Sequence, residues 1–179
     1  MSDEPSQTAT ATAPSAEHNL ATCRRWIDRF NERDEQGEAD ARTPDYVAHA
    51  PASLSPAPLD SEAWPEFIAG FVEGFPDLHL TVEDAVGDGE RVAQRIRFQG
   101  THTGVFQGLP PTNRKINVYV IELNRMAGGR VAEHWFQLDQ VTLLQQLGLR
   151  VIPGPRLLPR LLAHEAMKLV RRPGRPTTS

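Results

Sequence analysis

Hydrophobic residues recur every three or four positions in two segments of the N-terminal half, and both segments predict amphipathic helices. The first runs from Glu17 to Arg33, and its apolar face comprises Leu20, Cys23, Ile27 and Phe30. The second begins near Ser61, a suitable N-cap, and is ended by Pro76. Its apolar face comprises Trp64, Phe67, Ile68, Phe71 and Phe75. A proline-rich loop, interrupted by the short segment 46–50, is predicted between them.

From residue 78 onward the period of the hydrophobic pattern changes to two, which is typical of strands. Four strands are predicted, over residues 78–86, 91–100, 115–125 and 130–138. Gly87-Asp88-Gly89 and Ala127-Gly128-Gly129 predict hairpin turns between them, and the glycines and prolines of 101–111 predict a sharp bend. A short third helix is predicted over 140–147 and is ended by Gly148.

Two helices followed by an antiparallel meander indicate the α+β class rather than an alternating α/β fold. A curved antiparallel sheet with helices packed over its mouth would give a closed, cone-shaped barrel around one internal pocket. We assign residues 17–149 to this domain. Residues 1–16 lack apolar periodicity and are expected to form a disordered tail. Residues 150–179 form a basic, proline-rich extension that can hold an amphipathic helix from about Pro159.

The composition, 39% hydrophobic and 23% charged, fits a soluble globular protein, and the net charge of −4 argues against a nucleic-acid partner. The sequence shows neither a membrane-spanning apolar run nor a secretory signal, so we expect a cytoplasmic protein. From residue 150 onward there are seven basic residues and one acidic residue. A solvated, frayed terminus is the simplest interpretation of this extension. Contact with an anionic membrane or with a partner surface are the alternatives.

Four short motifs occur in order along the domain. They are Phe75-Pro76-Asp77-Leu78, the turn Gly100-Thr101-His102-Thr103-Gly104 with Phe106, the strand Gly129–Trp135 with Asp139, and Gln146-Leu147-Gly148. Together they resemble the SnoaL-like polyketide cyclases, also called ester cyclases, of the nuclear transport factor 2-like superfamily. The resemblance covers roughly residues 18–149. Asn113 replaces a usual glycine, and strand 117–125 has no histidine, where some members place a catalytic partner.

The resemblance implies a cofactor-independent enzyme that closes a ring within a polyketide by aldol-type chemistry, in natural-product biosynthesis. In such cyclases the aspartate equivalent to Asp139 removes an acidic C–H proton. Strand alternation places Asp139 on the same face as Trp135, and we expect both to face the pocket. A carboxylate in that apolar setting would have a raised pKa, which suits a general base. The alternative is that Asp139 caps the third helix.

His102 is the second catalytic candidate, since it could share a proton with Asp139; otherwise it would pin the bend by bonding backbone. The candidate substrate-binding residues are His49, Trp135, Arg95, Trp64, Phe67 and Phe106. The alternatives are a solvated face for Arg95 and core packing for the aromatic residues. His134 and Phe136 are expected to face away from the pocket. The resemblance implies a homodimer formed through the outer face of the sheet, and we expect these two residues there.

No metal is expected, because the histidines show no HxH or HExxH spacing and there is one cysteine. The resemblance implies that no cofactor is needed, because the substrate carries its own electron sink. Other chemistry on the same scaffold stays open, either epoxide hydrolysis, with Glu122 as the second carboxylate, or cofactor-free hydroxylation. A non-catalytic module that binds a small molecule is the third interpretation. A buried Asp139 with a polar partner would favour chemistry. An Asp139 bonded only to amides of the following helix would favour the binding module.

Overall fold

The computed structural model describes residues 14–150, together with residues 154, 157, 159–160 and 162–163. Almost all of the expected N-terminal tail, and most of the helix expected from Pro159, lie outside the described residues. Backbone contacts divide the chain into residues 1–148 and residues 149–179. All helices and strands named below belong to the first unit. In the second unit, residues 159–160 and 162–163 are helical.

The first helix, α1, spans Ala16–Glu32, close to its predicted bounds. The Ser15 side chain caps it by accepting a hydrogen bond from the His18 amide, and Arg33 ends it in the left-handed conformation. A short helix that the sequence pattern did not predict, α2 (Glu35–Asp40), follows and is capped by Asp34. It buries no residue fully, so it leaves no hydrophobic periodicity by which it could be recognised.

Residues 42–60 contain two strands, β1 (Arg42–His49) and β2 (Leu59–Asp60), where the sequence pattern predicted a loop. The helix α3 follows over Ala63–Gly74. Ser61 is not its N-cap, because its hydroxyl donates to the Pro44 carbonyl. The Asp60 carboxylate instead accepts from the amides of Glu62 and Ala63.

The remaining elements are β3 (His79–Asp88), β4 (Arg91–Thr101), β5 (Lys115–Ala127), β6 (Arg130–Leu138) and α4 (Gln140–Gln146). The strands form one sheet in the order β2-β1-β6-β5-β4-β3. The α+β class with helices on a curved sheet is confirmed. The expected closed barrel is corrected, since β2 and β3 are free edges of the sheet. The expected simple meander is also incomplete, because β1 pairs with β6 in parallel.

Alternation along β5 separates the two faces of the sheet. Ile116, Val118, Val120, Glu122, Asn124 and Met126 are buried, whereas Tyr119, Ile121 and Leu123 are exposed. The buried face receives α1 and α3, whose Trp26 and Trp64 rings both pack edge-on against His134 of β6. The core therefore lies between this face and the two long helices.

The bend after β4 packs against the end of α3 through Gly104. A Cβ atom there would lie 1.8 Å from the Glu73 carbonyl oxygen, so only glycine fits. The Thr103 and Gly104 amides both donate to the Gly74 carbonyl. Asn113 has a φ of 55°, in the left-handed region that asparagine and glycine accept more readily than other residues. The glycine-rich motif of this bend thus has a structural role.

Candidate functional site

An internal cavity of about 60 Å³ lies between α1, α3 and the buried face of the sheet. Seven Trp and Phe rings contribute to its wall: Trp26, Phe30, Trp64, Phe67, Phe71, Phe98 and Phe136. Three ionisable side chains also line it: Glu38, Glu122 and His134. All other lining side chains are apolar. The cavity therefore sets a few ionisable groups in a hydrocarbon environment, which is typical of a small-molecule site.

Glu122 and His134 face each other across neighbouring strands. The register pairs Glu122 with Phe136 and Asn124 with His134, so the two ionisable residues are diagonal neighbours. Glu122 is 7% exposed and His134 is 1% exposed. Glu122 Oε1 lies 3.6 Å from His134 Nε2, too far for a good hydrogen bond. Among the described residues, neither Glu122 Oε2 nor His134 Nε2 has a hydrogen-bond partner. Both atoms are therefore available to a bound molecule.

Tyr46 of β1 fixes the orientation of the His134 ring. The Tyr46 hydroxyl lies 3.2 Å from His134 Nδ1, and both side chains are buried. Burial raises the pKa of Tyr46 well above its ordinary value, so the phenol stays protonated and can donate to Nδ1. With the phenol as donor, a neutral imidazole carries its proton on Nε2, the nitrogen nearer Glu122. That arrangement gives the tautomer that can donate into the cavity.

Glu38, on α2, is the third ionisable group of the wall. Burial raises its pKa to about 7, against the opposing effect of the Arg42 and Arg33 charges. Its carboxyl group is therefore divided between the neutral and ionised forms near neutral pH. Arg42, the first residue of β1, lies close to it and is itself buried.

Asp139 does not face the cavity. It is exposed, and its Oδ1 accepts a hydrogen bond of 3.0 Å from the Thr142 amide as the N-cap of α4. The bonds from Thr142 hold the pKa of Asp139 below its ordinary value, so the expected rise is wrong. We expected Trp135 to face the pocket and His134 and Phe136 to face away from it. This expectation is also wrong, because His134 and Phe136 point inward and line the cavity. Of the two interpretations of Asp139, this geometry supports the helix cap, which is the outcome that favours a non-catalytic module as far as Asp139 is concerned.

His102 is buried in the bend after β4 and does not belong to the cavity wall. Its Nδ1 accepts from the Thr112 amide at 3.2 Å and lies 3.0 Å from the Thr112 hydroxyl. Burial lowers its pKa, which favours the neutral ring. The ring also packs against Phe75 at 5.1 Å. These contacts support the interpretation in which His102 pins the bend.

Three of the predicted substrate-binding residues lie on the outer face of the sheet. The His49 ring stacks on Trp135, with 5.1 Å between centroids and an interplanar angle of 6°. Arg95 pairs with Glu83 at 3.1 Å. The structure does not bring these residues together with the cavity groups, and their binding of substrate stays a prediction.

The predicted aromatic residues divide between the cavity and the core. Trp64 and Phe67 line the cavity. Phe106 is buried beyond the cavity wall, 5.0 Å from the ring of Phe71 and 5.2 Å from that of Phe75. The expectation that His134 and Phe136 lie at an outer subunit contact is wrong, because both are buried on the inner face.

Sequence reasoning missed the pairing of Glu122, His134 and Tyr46, although one signal pointed to it. Along β6 the alternate set His134, Phe136 and Leu138 is more apolar than the set that begins with Glu133. That difference favours the His134 set for the buried face, whereas the large indole of Trp135 favours the opposite set. Tyr46 had no such signal, since its partner is 88 positions away.

The described part of the chain contains no group of three or more His, Cys, Asp or Glu side chains that could hold a metal ion. Within the same residues, the structure shows no helix with the length and apolar character needed to cross a membrane.

Comparison with known proteins agrees with this architecture. The family model for the SnoaL-like polyketide cyclase matches residues 21–147. The candidate polyketide cyclase IdmH from Streptomyces antibioticus is 34% identical, over 73% of this chain and 99% of its own, with a TM-score of 0.68. The candidate hydroxylase AclR from Streptomyces galilaeus is 27% identical, over 89% of this chain and 100% of its own, with a TM-score of 0.71. No curated protein gives a significant match.

Proposed function

Because this chain belongs to the SnoaL-like polyketide cyclase family, we propose that it is a cofactor-independent cyclase in which Glu122 and His134 perform the acid/base steps. One observation carries this proposal: a carboxylate and an imidazole, each with an unpartnered atom among the described residues, share an apolar cavity. Unsatisfied buried polar groups destabilise a fold, so their presence favours a functional role. Such a protein would act in natural-product biosynthesis.

The reaction would be an intramolecular aldol closure. Glu122 Oε2 takes a proton from a C–H group beside a carbonyl, and the resulting enolate carbon attacks a second carbonyl of the same molecule. His134 Nε2–H donates to the oxygen of that second carbonyl, which becomes a hydroxyl group. Glu122 then passes the proton that it took from the substrate to His134 Nε2, across the 3.6 Å gap. The substrate is isomerised, and both residues regain their starting protonation states.

Tyr46 would act as a positioning residue. Its hydroxyl, 3.2 Å from His134 Nδ1, keeps the donor proton on Nε2 and stabilises the ring when it carries charge. Trp26 and Trp64 hold the same ring from either side, with centroids 5.1 Å and 5.2 Å away. The imidazole is therefore held in place before the substrate binds, which lowers the cost of reorganisation during the reaction.

Exchange of an activated C–H proton tests the proposal without knowledge of the natural substrate. The probe is ethyl benzoylacetate in D₂O, and proton NMR follows loss of the α-hydrogens above the buffer rate. Glu122→Gln should slow the enzyme-dependent exchange by about 10²- to 10⁴-fold, because the general base is lost. Asp139→Asn keeps the helix cap and should stay within about threefold of the wild type.

Comparison of Asp139→Asn with Glu122→Gln decides which of the two carboxylates is the base. Loss of exchange in Asp139→Asn with full activity in Glu122→Gln would restore Asp139 as the base and overturn the assignment above. A wild-type protein that binds the probe without accelerating exchange would be the non-catalytic binding module.

A cofactor-free hydroxylation is the second candidate, favoured by the likeness to the candidate hydroxylase AclR. The same base would form the same carbanion, which would add molecular oxygen instead of a carbonyl and give a hydroperoxide. A two-electron reductant, such as a cellular thiol, would then convert the hydroperoxide to the hydroxyl group and water. Cyclisation consumes no oxygen, so an oxygen electrode during turnover separates the two reactions.

We also propose that the protein forms a homodimer through the outer face of the sheet. Exposed Tyr119, Ile121 and Leu123 form an apolar strip on β5, flanked on β4 by Arg95 and Arg97 and on β6 by Trp135 and Gln137. Burial of this strip would stabilise association. Sedimentation equilibrium should give a dimer for the wild type and a monomer for Ile121→Glu, and a monomeric wild type would contradict the proposal.

A further inference from the structure

A second pocket, of about 190 Å³, adjoins the cavity. It lies where the end of α1, the helix α2, the start of β1 and one face of α3 meet. Phe30, Glu38 and Ile68 line both spaces, so they form the partition between them. The rest of the pocket wall on α3 is apolar, with Pro65, Ala69 and Val72. A molecule longer than the cavity would have to pass these three side chains to reach the second pocket.

Arg42 is the unusual residue of the second pocket. It is 6% exposed, and the structure gives its side chain one hydrogen bond, from Nε to the Glu38 carbonyl at 3.3 Å. Nη1 is buried and has no partner within the described residues. By contrast, Arg33 in the same wall donates through Nη1 and Nη2 to the carbonyls of Phe30 and Leu78. Arg33 is thus satisfied by backbone, whereas Arg42 is not.

No carboxylate of the described residues lies within 4.0 Å of the Arg42 guanidinium group to form a salt bridge. The group lies 5.1 Å above the Tyr46 ring, a contact that offsets only part of the cost of its burial. Burial also lowers the pKa of Arg42, against the opposing effect of Tyr46 and Glu38. A buried, unpaired guanidinium group in a pocket wall needs an anion.

We propose that this pocket binds the carboxylate group of the substrate through Arg42, while the rest of the molecule passes Phe30 and Ile68 into the cavity. A planar carboxylate matches the fork of a guanidinium group. The apolar α3 wall offers no further donors, so a doubly charged phosphate would lose hydration without compensation. The inference deepens the proposed function, on which it rests, by naming an acid as the substrate class.

Glu38 makes this binding dependent on pH. The charged groups that act on it are Arg42, Arg33, Glu35 and Asp34. Below its pKa of about 7 the Glu38 carboxyl is neutral, and Arg42 is free to bind an anion. Above that value the ionised carboxylate repels a second anion and competes for the same guanidinium group. Affinity for a carboxylate should therefore fall as the pH rises from 6 to 8.

Calorimetric titration with 2-naphthoate tests the site, with neutral 2-naphthamide as the matched ligand. At pH 6 the wild type should bind the acid at least tenfold more tightly than the amide. Arg42→Gln should remove this preference. Arg130→Gln, which removes an exposed charge at the start of β6, should keep it. Glu38→Gln should keep the preference for the acid, and the preference should then be the same at pH 6 and at pH 8. This measurement does not depend on whether an Arg42 variant is stable.

Equal affinity of the wild type for the two ligands, or no binding of either at millimolar concentration, would overturn the carboxylate site. So would an Arg42→Gln variant that is folded by circular dichroism and binds 2-naphthoate as the wild type does. The titration requires no turnover. Its failure would therefore leave the roles of Glu122 and His134 standing, and an active Glu122→Gln variant would leave the carboxylate site standing.

Discussion

The sheet carries one histidine–glutamate pair on each face, and the two pairs differ in almost every physical respect. On the outer face His49 Nε2 lies 3.0 Å from Glu133 Oε1, and Arg125 binds the other carboxylate oxygen at 3.1 Å. On the inner face His134 Nε2 lies 3.6 Å from Glu122 Oε1. Glu133 and His134 are neighbours in sequence, so a single step along β6 separates a satisfied pair from an unsatisfied one.

The difference shows that the residue types alone do not define a site. Arg125 binds the outer carboxylate, which is also partly exposed. Partial burial raises the pKa of Glu133, but the bonds from His49 and Arg125 keep it below its ordinary value. The inner pair is buried, and no arginine or lysine of the described residues forms a salt bridge with its carboxylate. Only the inner pair therefore retains bonding capacity for a ligand.

Replacement of each histidine gives the largest expected contrast. His134→Gln should reduce turnover by about 10²- to 10⁴-fold, because the proton donor of the cavity is lost. His49→Gln should change turnover by less than about twofold, since its ring stacks outside the cavity on Trp135. Steady-state kinetics of both variants measures the contrast, and equal losses would show that the outer pair also takes part.

Replacement of each glutamate by methionine should have opposite effects on stability. Glu122→Met removes a buried carboxylate oxygen that has no partner in the described structure, so the free energy of unfolding should rise by about 1–3 kcal/mol. Glu133→Met breaks two hydrogen bonds at the surface and should lower it by less than about 1 kcal/mol. Urea unfolding at pH 7 gives both values. A destabilised Glu122→Met variant would mean that the inner carboxylate is structural.

The smallest expected effect is the pH dependence of the outer pair. The pKa of Glu133 is lower in the folded protein than in the unfolded chain, so its ionised form stabilises the fold above the unfolded value of roughly 4.3. This stabilisation is lost as the pH falls through the folded pKa. The difference in unfolding free energy between wild type and Glu133→Gln, less than about 1 kcal/mol at pH 7, should shrink as the pH falls below the unfolded value. A difference that does not change with pH would rule out this charge effect.

Much of the fold could be predicted from the period of the hydrophobic pattern. The strand Arg130–Leu138 has its predicted bounds, and α1 lies within a residue of them. The strand β1 was missed because Pro44 and Pro51 suggest a loop, and its parallel partner β6 is remote in sequence. Local patterns carry no information about such a pairing.

The candidate site was harder to predict, for a specific reason. The distance between Glu122 and His134 depends on the register of β5 against β6, which shifts between Arg125 and Met126. No motif encodes that shift. Asp139, by contrast, stood directly before a predicted helix, and the local rule for N-caps described its geometry correctly.

The parallel pairing of β1 with β6 has a consequence for how the site forms. It places Ala48 opposite His134, and with it brings the Tyr46 hydroxyl to the imidazole. The hairpins β3–β4 and β5–β6 need only short loops, whereas this contact closes a loop of 88 residues and is costly in chain entropy. We therefore expect β1 to dock after the folding transition state. Tyr46→Phe should then accelerate unfolding and leave the refolding rate unchanged, so the tautomer of His134 would be fixed in the last step of folding.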